Sequence, residues 1–330
     1  MAMIYIRGFE DRSEDDPDFY SAAGIVASDI TGGGYCASTT TTGAGEVSVC
    51  TAEVSDDDSP DFSNCYVRVY VKAVGMDNDT AYWELLDSAG ATIVRVYAHG
   101  LVYIGTDNKG DQGFTIDSSW VRLEFKVNLS VSGQIIVKID GTTYYTISTD
   151  LTAYDYVYKI RTKEASNPGK TYMDDIVIND TSGTKNNSWP DAGHVYGLTA
   201  NAVGTNSELT PSPDTGEDNY EDVDEAPNDA DTSYVVSNAD EAIDTYGFTA
   251  LPEELIVKGV AVHTVTKLES AGTTKIKAVT LYSGNYEKKT VPDLATDYER
   301  RGAVFEDAPD GNAWTKTKID AAEFGIEVEV

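Results

Sequence analysis

Glu84 and Asp87, in the stretch WELLDS, stand three residues apart. Side chains along a strand alternate in direction, so that spacing sends the two carboxylates to opposite faces. A glycosidase needs its two carboxyl groups on either side of one bond in one cleft, and this pair does not supply that. Asp56–Asp58 fall in a loop before Pro60. His99, His194 and His263 are isolated, with no serine or cysteine elbow beside any of them, and His263 in GVAVHTVTKL reads as an ordinary strand residue. The chain has no GxSxG, no HExxH and no P-loop. Gly32-Gly33-Gly34 is followed by neither a helix nor a lysine, so it reads as a flexible loop and not a phosphate cradle. These residues together predict a protein that is not an enzyme.

Ligand chemistry is a separate matter. Asp107, Asn108 and Asp111 form a loose likeness of a calcium loop without EF-hand spacing. Sugar sites pair aromatics, which stack on pyranose faces, with polar loop groups. Tyr97, Tyr103, Trp83 and Trp120 qualify by residue type, although packing inside a sandwich is the simpler reading for each. Asn78, Asn128, Asn179 and Asn186 begin N-x-S/T sequons, which a chain this rich in Ser and Thr contains by chance. Cys36, Cys50 and Cys65 are an odd set that cannot pair completely within one chain. One Cys36–Cys50 bridge or none is compatible with that number, and buried free thiols are the expectation.

The elements that must position such residues are strands. In 119–147, Val121, Leu123, Phe125, Val127 and Leu129 alternate with Arg122, Glu124, Lys126 and Asn128. A period of two puts the first set on a buried face and predicts a wet face for the second. Ser130–Gly133 reverses the chain. Ile135, Val137 and Ile139 continue the inward set, with Ile136 out of phase. Asp140-Gly141 turns it again, since glycine tolerates the positive φ of a tight hairpin, and Tyr144, Tyr145 and Ile147 enter a further strand. Such a meander needs a second sheet over its apolar side. Strand patterns also occupy 3–10, 63–76, the hairpin 81–100 turning at Ser88–Gly90, a short strand followed by a polar loop within 101–116, and two stretches closing near 182.

A length of 330 residues predicts two domains. The expectation is all-β: a jelly-roll sandwich over 1–182, a linker over 183–193, and a second sandwich over 194–330. The second is interrupted by an acidic excursion at about 205–245. From Asn186 to Val257 there is no lysine or arginine and about sixteen acids, and alone this stretch would be classed as disordered. EFGIEVEV at the end alternates, with Phe324, Ile326, Val328 and Val330 on one face.

The net charge is −32, from 56 acidic and 24 basic residues. A phosphate backbone or an anionic membrane surface would be repelled, so neither nucleic acid nor membrane is an expected partner. Adaptation to high salt, where screening removes the self-repulsion, is the sharper reading of this acidity, and a solvated surface the plainer one. The opening MAMIYIRGFEDRSEDD has too short an apolar run for a secretion leader, and no stretch approaches transmembrane length.

The opening GFE at Gly8–Glu10, the YVRVYV strand at 66–71, the SWVRLEFKV…GQIIVKIDGT hairpin and the closing YMDDIVIND at 172–180 resemble concanavalin A-like jelly rolls of the laminin-G or glucanase kind. The whole chain, with NYEDVDEAPNDADTSYV and the ending GNAWTKTKIDAAEFGIEVEV, is similar in style to structural proteins of tailed viruses. The resemblance implies no cofactor beyond a structural calcium ion between the first and last strands, held by Glu10 with Asp174 or Asp175. The Glu-x-Asp-x-x-Glu run of glucanases on this fold does not occur here. The implied function is a non-enzymatic virion protein on the particle exterior, a capsid decoration, turret or tail-fibre component contacting host glycans. With this charge, a virus of a halophilic archaeon fits. It would assemble in the host cytoplasm as a trimer or pentamer beside other capsid or tail proteins, with 205–245 at or near the subunit interface. The rival expectation is a secreted or cell-surface carbohydrate-binding module.

Overall fold

The computed structural model describes backbone at 3–7, 19–21, 23–27, 35–39 and 48–53, and backbone with side chains over most of 62–330. Within the latter range 76–80, 165–168, 214–215, 226–230, 253–254, 269–273 and 292–293 are not described. The chain divides into two compact units, Val195 closing the first and Tyr196 opening the main body of the second.

The strands of the first unit are β1 (Met3–Arg7), β2 (Phe19–Ser21), β3 (Ala23–Ala27), β4 (Tyr35–Thr39) and β5 (Ser48–Glu53). They continue with β6 (Asn64–Val74), β7 (Tyr82–Leu86), β8 (Thr92–Tyr97), β9 (Leu101–Ile104) and β10 (Asp107–Asp111). β11 (Val121–Asn128), β12 (Gly133–Ile139), β13 (Thr142–Thr149), β14 (Lys159–Glu164) and β15 (Lys170–Asp180) complete the set. An eight-stranded sheet runs β13-β12-β11-β6-β15-β4-β3, with β1 also on β15, and a seven-stranded sheet runs β10-β9-β8-β7-β14-β5-β2. All pairings are antiparallel, the arrangement of a jelly-roll sandwich. Between the sheets, cross-strand rows such as Val67–Phe125–Val137 and Val69–Leu123–Ile139 meet Trp83, Leu85, Val94 and Val96. A buried hydroxyl pair, Thr162 to Thr171 at 2.7 Å, ties one sheet to the other through the core.

The meander turns as its residues predict: Asp140 and Gly141 have φ of 49° and 81°. Its second face, however, is not wet. Glu124 is buried, and Arg122 and Lys126 are half-buried. The cause is the stretch 183–195, which takes in the expected linker 183–193 and the first two residues of the expected second domain; it groups with the first unit and lies over the outer face of the eight-stranded sheet. Asn179 Nδ2 donates to the carbonyl of Ser188 (2.9 Å) and Arg68 Nη1 to that of Asp191 (2.5 Å). Trp189 meets the edge of Tyr66, with Lys138 Nζ 3.6 Å from its ring centroid. His194 Nδ1 lies 2.7 Å from Asp175 Oδ2, whose other oxygen accepts the Val195 N–H. Arg68, Lys138 and Asp175 on this face are thus contacted by the chain's own continuation.

The second unit holds β16 (Ala200–Ser207), β17 (Thr210–Ser212), β18 (Tyr234–Val236), β19 (Ile243–Phe248) and β20 (Val260–Thr266). β21 (Lys275–Tyr282), β22 (Asn285–Thr290), β23 (Glu299–Phe305) and β24 (Glu323–Glu329) follow. A five-stranded sheet β16-β19-β24-β21-β22 shares one core with the pair β20-β23, through Ile276, Ala278, Phe324, Val262 and Phe305. Gly325 is required where β24 meets β19, because a Cβ there would sit 1.9 Å from the Asp244 carbonyl oxygen. Phe324 and Val328 are buried as the alternation predicts, Ile326 is half-buried, and Val330 is exposed. Glu327, on the opposite face, is buried between Lys277 and Lys288.

The described residues of the acidic excursion fold onto β19 of their own unit. β17 and β18 pair, and a short 3-10 turn at Asn219–Asp222 lies between them. Its anchor is Asp244, fully buried, which accepts the N–H groups of Glu208 (2.5 Å) and Leu209 (2.8 Å), the Asn219 amide (2.6 Å) and the Tyr246 hydroxyl (3.0 Å). Four donors around one carboxylate give this polar stretch a surface to hold.

Candidate functional site

The outer face of the seven-stranded sheet gathers the side chains best suited to a ligand. Trp83, Leu85, Val94 and Val96 point into the core, so alternation sends Tyr82, Glu84, Arg95 and Tyr97 outward. Register then aligns them across strands. One row runs Asn108–Tyr103–Arg95–Glu84–Arg161, and the adjacent row runs Tyr97–Tyr82–Lys163.

Glu84 is the hinge of the first row. It is fully buried, and its two oxygens are divided between two guanidinium groups. Arg95 donates Nε to Oε2 at 2.8 Å, and Arg161 donates Nε to Oε1 at 2.5 Å, while the Thr92 hydroxyl adds a bond to Oε2 at 2.9 Å. A buried carboxylate stays ionised only with such partners. Each guanidinium has five N–H donors, more than Glu84 and Thr92 occupy, and the Arg95 and Arg161 side chains remain 23% and 28% exposed.

The second row is aromatic. Tyr97 stands 5.1 Å from Tyr82, 5.5 Å from Tyr103 and 5.6 Å from His99, ring centre to ring centre. Arg95 lies 4.4 Å above the Tyr82 ring, and Lys163 Nζ is 5.8 Å from the same ring centroid. Asn108 Nδ2 donates to the Tyr103 hydroxyl at 3.1 Å. Burial, and then the neighbouring Glu84 charge, push the Tyr82 hydroxyl up to about 12. It is therefore protonated at neutral pH and a poor base.

Of the four aromatics singled out by residue type, Tyr97 and Tyr103 lie half-buried on this face. Trp83 is in the core and donates Nε1 to the carbonyl of Tyr172. Trp120 is half-buried against Tyr172, with Lys72 near both rings. Sequence reasoning missed Arg95, Arg161, Lys163 and Tyr82. The alternations Tyr82/Glu84, Arg95/Tyr97 and Arg161/Lys163 carry the signal, but only the strand order shows that they share one face.

Asp107, Asn108 and Asp111 all lie on β10. Asn108 Oδ1 accepts the Gly110 N–H, Asp111 Oδ1 accepts the Gly113 N–H, and Lys109 pairs with Asp107. Asp174 and Asp175 are buried on β15 at a register shift, Asp175 with φ of 50°. Asp175 fits a calcium ion poorly, because His194 and Val195 already engage its two oxygens. Asp174 accepts the Asp175 N–H through Oδ1, and Glu10 lies outside the described residues. Among the described residues, no cluster of three or more His, Cys, Asp or Glu side chains is arranged to hold a metal ion. Cys65 is buried and in no disulfide, its Sγ donating to the Phe62 carbonyl at 3.5 Å, while the side chains of Cys36 and Cys50 lie outside the described residues. Among those residues, no helix is long and apolar enough to cross a membrane.

No protein-family model and no curated protein matches the chain. Solved structures do. A cellulose-induced protein is 12% identical, covering 57% of this chain and 100% of its own, with a TM-score of 0.41. An endo-β-1,4-glucuronan lyase from Trichoderma reesei is 10% identical over 53% of this chain and 90% of its own, with a TM-score of 0.36. A carbohydrate esterase of the Shiga toxin-encoding bacteriophage phi24B is 14% identical over 54% and 99%, with a TM-score of 0.38. At these identities no residue's role carries over.

Proposed function

We propose that the first unit binds a glycan on the outer face of its seven-stranded sheet, and that it does so without catalysis. The observation that carries this reading is the double row in which Tyr97, Tyr103 and Tyr82 adjoin Arg95, Arg161 and Lys163. Tyrosine rings present an apolar face to a sugar ring, and fixed polar groups set its orientation. The two side chains best placed to move a proton are both quenched: Glu84 is held by two arginines, and the Tyr82 hydroxyl is pushed up to about 12.

Calorimetric titration of the full chain with a panel of neutral and acidic oligosaccharides tests the reading. At least one glycan should bind, and Tyr97→Ala or Tyr103→Ala should weaken it about tenfold, in line with the loss of a stacking contact of ~1.4 kcal/mol. A panel that never binds, or variants that bind as well as the parent, would end it.

The setting we propose is the exterior of a tailed virus, on the whole-chain resemblance described above. Antibody detection on purified particles checks it. Protein found on a cell surface or in culture medium, and absent from particles, would place the same sugar-binding face in a secreted module instead.

A further inference from the structure

We infer that the glycan is acidic, a sugar carrying a carboxylate that docks on the guanidinium pair of Arg95 and Arg161; this rests on the glycan-binding reading of the same face. The chain holds only 24 basic residues against 56 acidic ones, yet two arginines meet at a single carboxylate here, with Lys163 in the adjacent row. One arginine would neutralise Glu84; the second guanidinium and Lys163 leave these two rows positive in a molecule that is otherwise strongly negative. Glu84 takes both Nε and Nη2 of each guanidinium, and Thr92 shares Nη2 of Arg95, so the Nη1 end of each is fixed in orientation before any ligand arrives. Arg95 is fixed further by the Tyr82 ring beneath it at 4.4 Å. Charge-assisted N–H donors make strong hydrogen bonds to a carboxylate, and donors set in place beforehand lose little freedom on binding. Tyr97 and Tyr103, 5.5 Å apart and beside Arg95 in the rows, provide the surface for the ring that bears the carboxylate.

The long-range field works against any anion, because the whole chain carries a charge of −32. Selection must therefore occur at contact, within the roughly 10 Å Debye length of 0.1 M salt. An anionic sugar accepted despite that field would be held by this face alone.

The test uses the full chain and three probes: hexagalacturonate, the same hexamer with its carboxyl groups reduced to alcohols, and a sialylated trisaccharide. Calorimetry should show at least one carboxylated probe binding ten times or more tighter than the reduced hexamer. Which one does so identifies the source of the carboxylate. Lys163→Glu and Tyr103→Ala, both at half-buried positions that tolerate change, should each weaken that binding at least fivefold. Equal affinity for the acidic and reduced hexamers would overturn the inference while leaving the glycan reading intact. Failure of all three probes beside a neutral glycan that binds would do the same. Acid-selective binding untouched by both variants would place the sugar elsewhere and overturn the two together.

Discussion

Glu84 shows how one buried side chain sets the chemistry around it. With Arg95 removed, a fully desolvated carboxylate would keep Arg161 as its one cationic partner among the described contacts. Breaking a buried pair by removing one partner costs about 3 kcal/mol or more. Arg95→Ala is therefore expected to lower the melting temperature of the first unit by many degrees, whereas Lys163→Ala, at a half-buried position, shifts it little. Differential scanning calorimetry separates the two outcomes. Glu323 makes a second case at this scale. Burial alone would raise its carboxyl group, but hydrogen bonds from the Thr205 N–H, the Thr245 hydroxyl and the Thr205 hydroxyl outweigh burial and hold it below the ordinary carboxylate range. A depressed folded value gives stability that is complete above the unfolded carboxylate value of about 4.3 and is lost as pH falls through the lower folded one. Acid unfolding of the second unit, followed by circular dichroism, should be less steep in Glu323→Gln over that window.

At the scale of elements, alternation made the inward half of each strand legible and misjudged the outward half. Leu123, Phe125 and Val127 are buried as their period of two dictates. Glu124, one step out of that set, is buried as well, because 183–195 covers the face it points to. No local pattern announces that cover: the stretch is polar, has no lysine or arginine after Lys185, and looks like a linker. Its hold comes from single side chains, Trp189 above all, meeting partners more than fifty residues away. The candidate site was half legible for a similar reason. Tyr97 and Tyr103 stood out by type, but Arg95 and Arg161 come from strands that only the sheet order β8-β7-β14 places side by side. Trp189→Ala removes an edge contact with Tyr66 and the Lys138 cation above the ring, and is expected to cost about 3 kcal/mol. Urea denaturation should show the loss, together with faster hydrogen exchange along β11 and β12.

For the whole molecule, charge is the governing quantity. At −32 the chain repels itself, and screening relieves that repulsion. Melting temperature measured from about 0.05 M to 3 M of a chloride salt should rise, since the Debye length falls from roughly 10 Å near 0.1 M to about 3 Å at 1 M. A flat curve would leave the acidity as a solvated surface and remove the saline reading. Assembly belongs to this scale too. We propose the trimer or pentamer that the acidic excursion first pointed to, although Asp244 and Asn219 already give that excursion a surface within its own unit. Deleting Pro213–Asp231 should therefore both weaken assembly and lower the melting temperature of the second unit. Mass determination in high salt checks the first effect and calorimetry the second, and a monomeric parent protein would sink the oligomer.

The stretch 183–195 has a mechanical consequence. Any tension carried along the backbone from Tyr196 enters the first unit at Val195, where the His194 and Val195 contacts with Asp175 are the first to bear it. The Arg68 bond to Asp191, the Trp189 stack and the Asn179 bond to Ser188 stand behind them in series. A pull would peel these attachments one at a time, about a dozen residues of slack being released before the load reaches β15. The first unit thus carries its own tether, and stretching it between a tip and a surface should give a short, reversible extension ahead of the abrupt rupture of the sandwich.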